Sequence, residues 1–299
     1  MLAILSFAVL FAPVVVTGDL DTAYQKLKDA TAGKDVVQVK ILAAQTCALA
    51  REAISAAAPA DDDEKQQWKN HVAYAHDVEV YTEYALFATA VGAEPATTVD
   101  LLATLEQQNP KSKYLFDAYG LYYFPALQQT GAAAKIPALA EKALENFPEN
   151  DDALAVLAEA AYAKKQTDRA LGYAKRLPAA VNKHARPEGI PAADWERKRS
   201  VKLASGYWIA GVIEADKQAY YDADKNLRAA LPLLTGDRKG YALFYLGLAN
   251  YQLGKMTMKK SQVLEAAQFS KDAAAFQGSW THQAWVNAQV MKDEAARMR

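Results

Sequence analysis

From residue 20 onward apolar side chains recur at three- and four-residue spacing, and this period narrows the folds open to the chain more than any other feature. Such spacing lays an apolar stripe along one face of a helix, and no segment shows the strict alternation of a strand. Pro, Gly and short polar clusters punctuate the pattern. Breaks fall at Gly33, at Pro59 with the acidic run Asp61-Asp62-Asp63-Glu64, between Gly92 and Pro95, and at Asn109-Pro110, Gly131, Phe147-Pro148, Pro178, Thr235-Gly236-Asp237 and Gly254. They predict helices at about 20–31, 34–58, 62–91, 96–108, 112–129, 133–146, 151–164, 167–177, 193–217, 220–234, 238–253, 259–276 and 280–297. The fold class is therefore all-α, a string of helical hairpins. With 52% hydrophobic residues and 14 glycines in 299, the composition suits packed helices and excludes disorder, collagen and a β-sandwich.

A net charge of -1 with both signs interspersed provides no general attraction to nucleic acid or to an anionic membrane surface. The single Cys47 cannot form an internal disulfide, and its helical surroundings suit a small buried hydrophobe. Leu2 to Val16 is a nearly unbroken apolar stretch ending in Val16-Thr17-Gly18, before Asp19-Leu20-Asp21. Its length is that of a signal-peptide core and falls short of the roughly 20 residues of a membrane span. Residues 1–18 are expected to direct export to the periplasm or the exterior, or, if uncleaved for want of a basic leader, to anchor the protein.

A helical hairpin buries its apolar face only by stacking on its own kind, so repeated segments are expected. The run Leu243-Phe244-Tyr245-Leu246-Gly247-Leu248-Ala249-Asn250-Tyr251 places a Leu-Gly pair, an Ala and an aromatic ahead of a turn. Tyr207-Trp208-Ile209-Ala210-Gly211, followed by Tyr220, Tyr221, Ala223, Leu227 and Ala230, spans two helices with the same logic. Leu154, Leu157, Ala158, Ala161, Ala170, Ala174 and Leu177 repeat it. Phe116, Tyr119, Gly120, Tyr123, Ala140 and Ala143 do so around an insertion. A small residue at Gly120, Ala158, Gly211 and Gly247 lets two helices cross closely, while Leu and aromatic neighbours contribute about 1.5–3 kcal/mol each when buried.

These segments resemble the tetratricopeptide repeat (TPR) family, and the chain is similar to exported TPR proteins of bacteria. The resemblance implies a right-handed α-solenoid of stacked antiparallel helix pairs. Its expected organisation is divergent hairpins over 19–110, TPR-like units over 111–178 and 201–277, a surface insertion over 179–200, and a capping helix over 278–299. It also implies that the first helix of each pair presents a concave surface to a peptide or protein partner. On this chain that face maps to Asp117, Leu121 and Phe124; Ala155, Glu159 and Tyr162; Trp208, Val212 and Ala215; and Phe244, Leu248 and Tyr251. Trp208, Phe244 and Tyr251 would be the aromatic anchors. The Lys and Asn clamp of chaperone-binding TPR domains is missing at the matching positions.

No nucleophile elbow, phosphate loop, dinucleotide fingerprint or paired cysteines occur. His71 and His76 are five apart rather than the four that places two zinc ligands on one helical face. Asp77 with Glu79, and Asp61 to Glu64, suit solvated helix charges. Arg197-Lys198-Arg199 with Lys202 form a short basic cluster beside Asp194 and Glu196, too small for a nucleic-acid face. The expectation is a non-catalytic scaffold without cofactor or metal. The alternatives are a structural component of an anchored envelope assembly and, last, an enzyme on a helical-repeat frame.

Overall fold

The structure, a computed structural model, describes residues 19–298, so the expected leader lies outside the described residues. Those residues are helical throughout, with no strand among them. None of their helices is long and apolar enough to cross a membrane. The chain divides at Thr130–Gly131 into two compact units.

The first unit holds α1 (Leu20–Ala32), α2 (Val36–Ser55), α3 (Asp62–Ala90), α4 (Pro95–Gln108), α5 (Leu115–Ala118) and α6 (Phe124–Gln129). Their starts follow from local chemistry. Asp19 and Asp35 accept from the backbone N–H groups of Asp21 and Gln38, and Pro95 opens α4 where its missing N–H is harmless. The single helix expected over 112–129 is instead interrupted by a π-helical turn at Tyr119–Tyr123 that contains Gly120. Pro125 explains it: proline has no N–H for the carbonyl one turn back, and the Phe124 N–H reaches five residues back to the Tyr119 carbonyl.

The second unit holds α7 (Ile136–Asn146), α8 (Asp151–Ala163), α9 (Thr167–Lys183), α10 (Ala192–Asp216), α11 (Tyr220–Ala230), α12 (Gly236–Met256), α13 (Lys260–Ala273) and α14 (Thr281–Arg297). Each helix packs on its neighbour in sequence, as α1 to α5 do in the first unit. Beyond this, α10 also touches α8 and α12, and α12 touches α14; contacts of that extent do not join α9 to α11 or α11 to α13. Within pairs, glycines set the approach. A Cβ on Gly211 would lie 2.5 Å from Leu227 Cγ on α11, and one on Gly247 would lie 2.3 Å from Ser270 Oγ on α13. Gly240 and Gly254, seven residues either side of Gly247, meet Phe276 and Val263 as closely, so α12 lays a glycine every two turns against the α13 side. Ala158 is fully buried.

One turn recurs. Lys34, Lys165, Gln218 and Met258 sit between α1 and α2, α8 and α9, α10 and α11, and α12 and α13, each with positive φ of 52–63°. At all four, its N–H bonds the carbonyl three residues back, and the next N–H bonds the carbonyl five residues back. This closes the first helix and reverses the chain in three residues.

The segment 179–200, expected as a surface excursion after a break at Pro178, is mostly helix. Pro178 lies inside α9, which runs to Lys183, and α10 begins at Ala192. Burial of Leu177, Ala180 and Val181 holds the helix through a proline that would otherwise cost about 3 kcal/mol. The Ala174 carbonyl, left without a donor at residue 178, faces Gly206 of α10, where an added Cβ would lie 3.3 Å from it. Beyond α9, His184 Nδ1 lies 2.7 Å from Asp151 Oδ1, and Lys202 Nζ donates to Asp151 Oδ2 at 2.8 Å and pairs with Asp152 at 2.7 Å. Trp195 covers this buried cluster, 4.7 Å from the His184 ring. Burial pushes the Asp151 carboxyl up, but the bond to His184 and the Lys202 charge outweigh it and hold it below its ordinary value. Lys202, expected in a surface basic cluster, is therefore an internal tie, while Arg197 and Arg199 pair with Asp194 and Glu196.

Candidate functional site

In the second unit, polar and aromatic side chains meet along α8, α10 and α12. Glu159 on α8 accepts both terminal nitrogens of Arg238 on α12, at 2.8 and 2.9 Å, and the Ser205 hydroxyl of α10 at 2.6 Å. A bidentate guanidinium–carboxylate pair is directional as well as charged, so it fixes the Arg238 plane. That plane lies 4.7 Å over the Trp208 ring, a cation–π contact. Trp208 also meets Tyr162 edge-on at 5.1 Å and Tyr241 at 6.1 Å; Tyr241 in turn meets Tyr245 at 4.9 Å and Trp280 at 5.1 Å.

The hydroxyl side of this cluster is wired. The Tyr245 hydroxyl donates to Asp216 at 2.9 Å and lies 3.2 Å from the Tyr241 hydroxyl. Burial, with the neighbouring Tyr241 and the Asp216 charge, pushes Tyr162 up to about 12, and burial with the same kind of neighbours raises Tyr245 as well. These phenols stay neutral donors at any physiological pH.

The positions expected on the binding face are distributed as follows. Glu159, Tyr162 and Trp208 meet in this cluster, with Val212 beneath them at 1% exposure. Trp208, at 6% exposure, is covered on one face by Arg238 and does not stand out as a free anchor. Phe244 is half-buried beside Tyr245 at 5.6 Å, and Leu248 is half-buried one turn on. Tyr251 faces elsewhere: its hydroxyl donates to Glu294 of α14, and Lys255 lies over its ring. Leu121 and Phe124 belong to the first unit. Leu121, with Tyr122 and Pro125, lines a cavity of about 260 Å³, whereas Phe124 is buried against Tyr119.

Arg238, Tyr241, Tyr245, Asp216 and Ser205 were not among the expected residues. Arg238, Tyr241, Tyr245 and Leu248 share one face of α12 by their three- and four-residue spacing, so the signal was present. Placing the helix start at Arg238 itself hid it, because α12 begins at Gly236 and Arg238 lies within its first turn.

The charged groups of this face are paired or hydrogen-bonded, and no group of three His, Cys, Asp or Glu side chains able to hold a metal occurs among the described residues. His71 and His76 are exposed, His76 with 58% of its side chain in solvent. No protein-family model matches the chain, and neither a curated protein nor a solved structure matches it.

Proposed function

We propose that this chain is an exported, non-catalytic scaffold of the TPR type, a right-handed solenoid of helix pairs, that binds an extended segment of another protein along the α8–α10–α12 face. One observation carries the reading. Alternate helices of the second unit pack more extensively along α8, α10 and α12 than along α9, α11 and α13, where Arg228 of α11 reaches across to Glu265 of α13 at 2.9 Å. In a stack of helix pairs, the row whose members approach more closely is the inner, concave one. The polar–aromatic cluster lies on that row. Rigid aromatic rings are what a short segment needs for affinity at low entropic cost. Export is supported by the apolar run Leu2 to Val16 and by its small residues Val16 and Gly18.

The test is site-directed photo-crosslinking in the native host, with p-benzoylphenylalanine at Phe244 or Leu248 and, as controls, at the exposed Leu264 of α13 and Tyr221 of α11. The reading predicts one discrete adduct at 244 or 248 and none at 264 or 221. Adducts confined to 264 and 221 would place the partner on the other row and end the proposal.

A further inference from the structure

The corner around Asp216 carries an exposed negative charge. Asp216 is the last residue of α10 and is exposed; the Tyr245 hydroxyl is its hydrogen-bond partner, and no cation pairs with it among the described residues. The nearby charges are otherwise matched. Lys217 pairs with Asp168 at 2.6 Å, Arg238 with Glu159, and Lys175 with the buried Glu214 at 2.8 Å. The C-terminal end of α10 adds the negative pole of its helix dipole at the same place. Around it stand the rings of Tyr241 and Tyr245, with Tyr162 close enough to feel the Asp216 charge.

A lone carboxylate beside several electron-rich rings is a receptor for a cation, because the ring faces and the carboxylate attract the same charge. The chain already shows the preference: it lays its own Arg238 over Trp208 in this cluster. We infer that the Asp216 corner, with Tyr162, Tyr241 and Tyr245, receives the ammonium of a lysine or the guanidinium of an arginine carried by the bound segment. This rests on the binding face proposed above and names the chemistry that selects its partner.

The experiment is selection from a random decapeptide library displayed on phage, panned on the whole chain and on its Asp216→Asn variant. Asparagine still accepts from Tyr245, and the site is exposed, so folding is expected to be unaffected; a melting curve checks this. Lysine and arginine should be enriched in peptides selected by the natural chain. Asp216→Asn should abolish that enrichment and weaken the best such peptide about tenfold, whereas Asp216→Glu should restore both. Peptides recovered without basic enrichment, or with enrichment indifferent to Asp216→Asn, would overturn this inference and leave the binding face standing. If the natural chain recovers no peptide above the level of bare phage, the binding face itself fails, and the cation site with it.

Discussion

Gly211 and Gly172 are both helical glycines, and the structure separates their roles. A Cβ at 211 would meet Leu227 Cγ at 2.5 Å and its backbone nitrogen at 3.1 Å, whereas one at 172 would meet nothing within 4 Å. Gly211→Ala is expected to destabilise by about 1–3 kcal/mol through overpacking. Gly172→Ala should stabilise by up to about 1 kcal/mol through helix propensity. Urea denaturation of the two variants checks this, and equal shifts would contradict the crossing. Lys202→Met should cost about 3–5 kcal/mol, because it strips Asp151 and Asp152 of their shared buried cation. The special position of Gly211 was legible because small residues recur before turns. The role of Lys202 was not, since its partners are about fifty residues away and only folding brings them to it.

At the scale of elements, four three-residue turns share one residue in the left-handed region, and none of the four is glycine. That conformation costs a side-chain-bearing residue about 1–2 kcal/mol, part of which glycine's greater chain entropy takes back. Gln218→Gly should therefore stabilise by up to about 1 kcal/mol, while the neighbouring Lys217→Gly, at negative φ, should not. Thermal melting of the pair decides it. The breaks between these helices were legible in the sequence at all four places, but their left-handed residue was not, because the turns lack the glycine that usually marks such a position, apart from Gly33 beside the first. Pro178 misled in the opposite sense. A proline usually ends a helix, yet the apolar residues around it are buried on α10 and carry α9 through.

At the scale of the whole molecule, the helical class and most hairpins were legible from period and punctuation alone. The cluster on α8, α10 and α12 was legible in part. Glu159, Tyr162 and Trp208 followed from the first-helix pattern, but Arg238 and Asp216 act through partners set by how three helices stand side by side. The tyrosines make a collective prediction. Tyr74 is pushed up to about 12, first by burial and then by Asp21, as Tyr162 is by burial and its neighbours, and Tyr119, Tyr123 and Tyr245 are also raised. An unfolded tyrosine ionises near pH 10, so their contribution to stability is complete below about pH 10 and is lost as pH rises from there through about 12. Urea midpoints should hold level to about pH 9.5 and then fall, with tyrosinate absorbance rising together with unfolding. A midpoint that stays level to pH 11.5 would contradict the buried hydroxyls.

The central claim is that the row α8, α10 and α12 is the binding surface. Hydrogen–deuterium exchange of the whole chain, with and without the tightest displayed peptide, addresses it most directly. The account predicts added protection at the ends of α8, α10 and α12 that carry Glu159, Asp216 and Arg238, with α11 and α13 unchanged. Protection confined to α9, α11 and α13, or to residues 19–130, would contradict it.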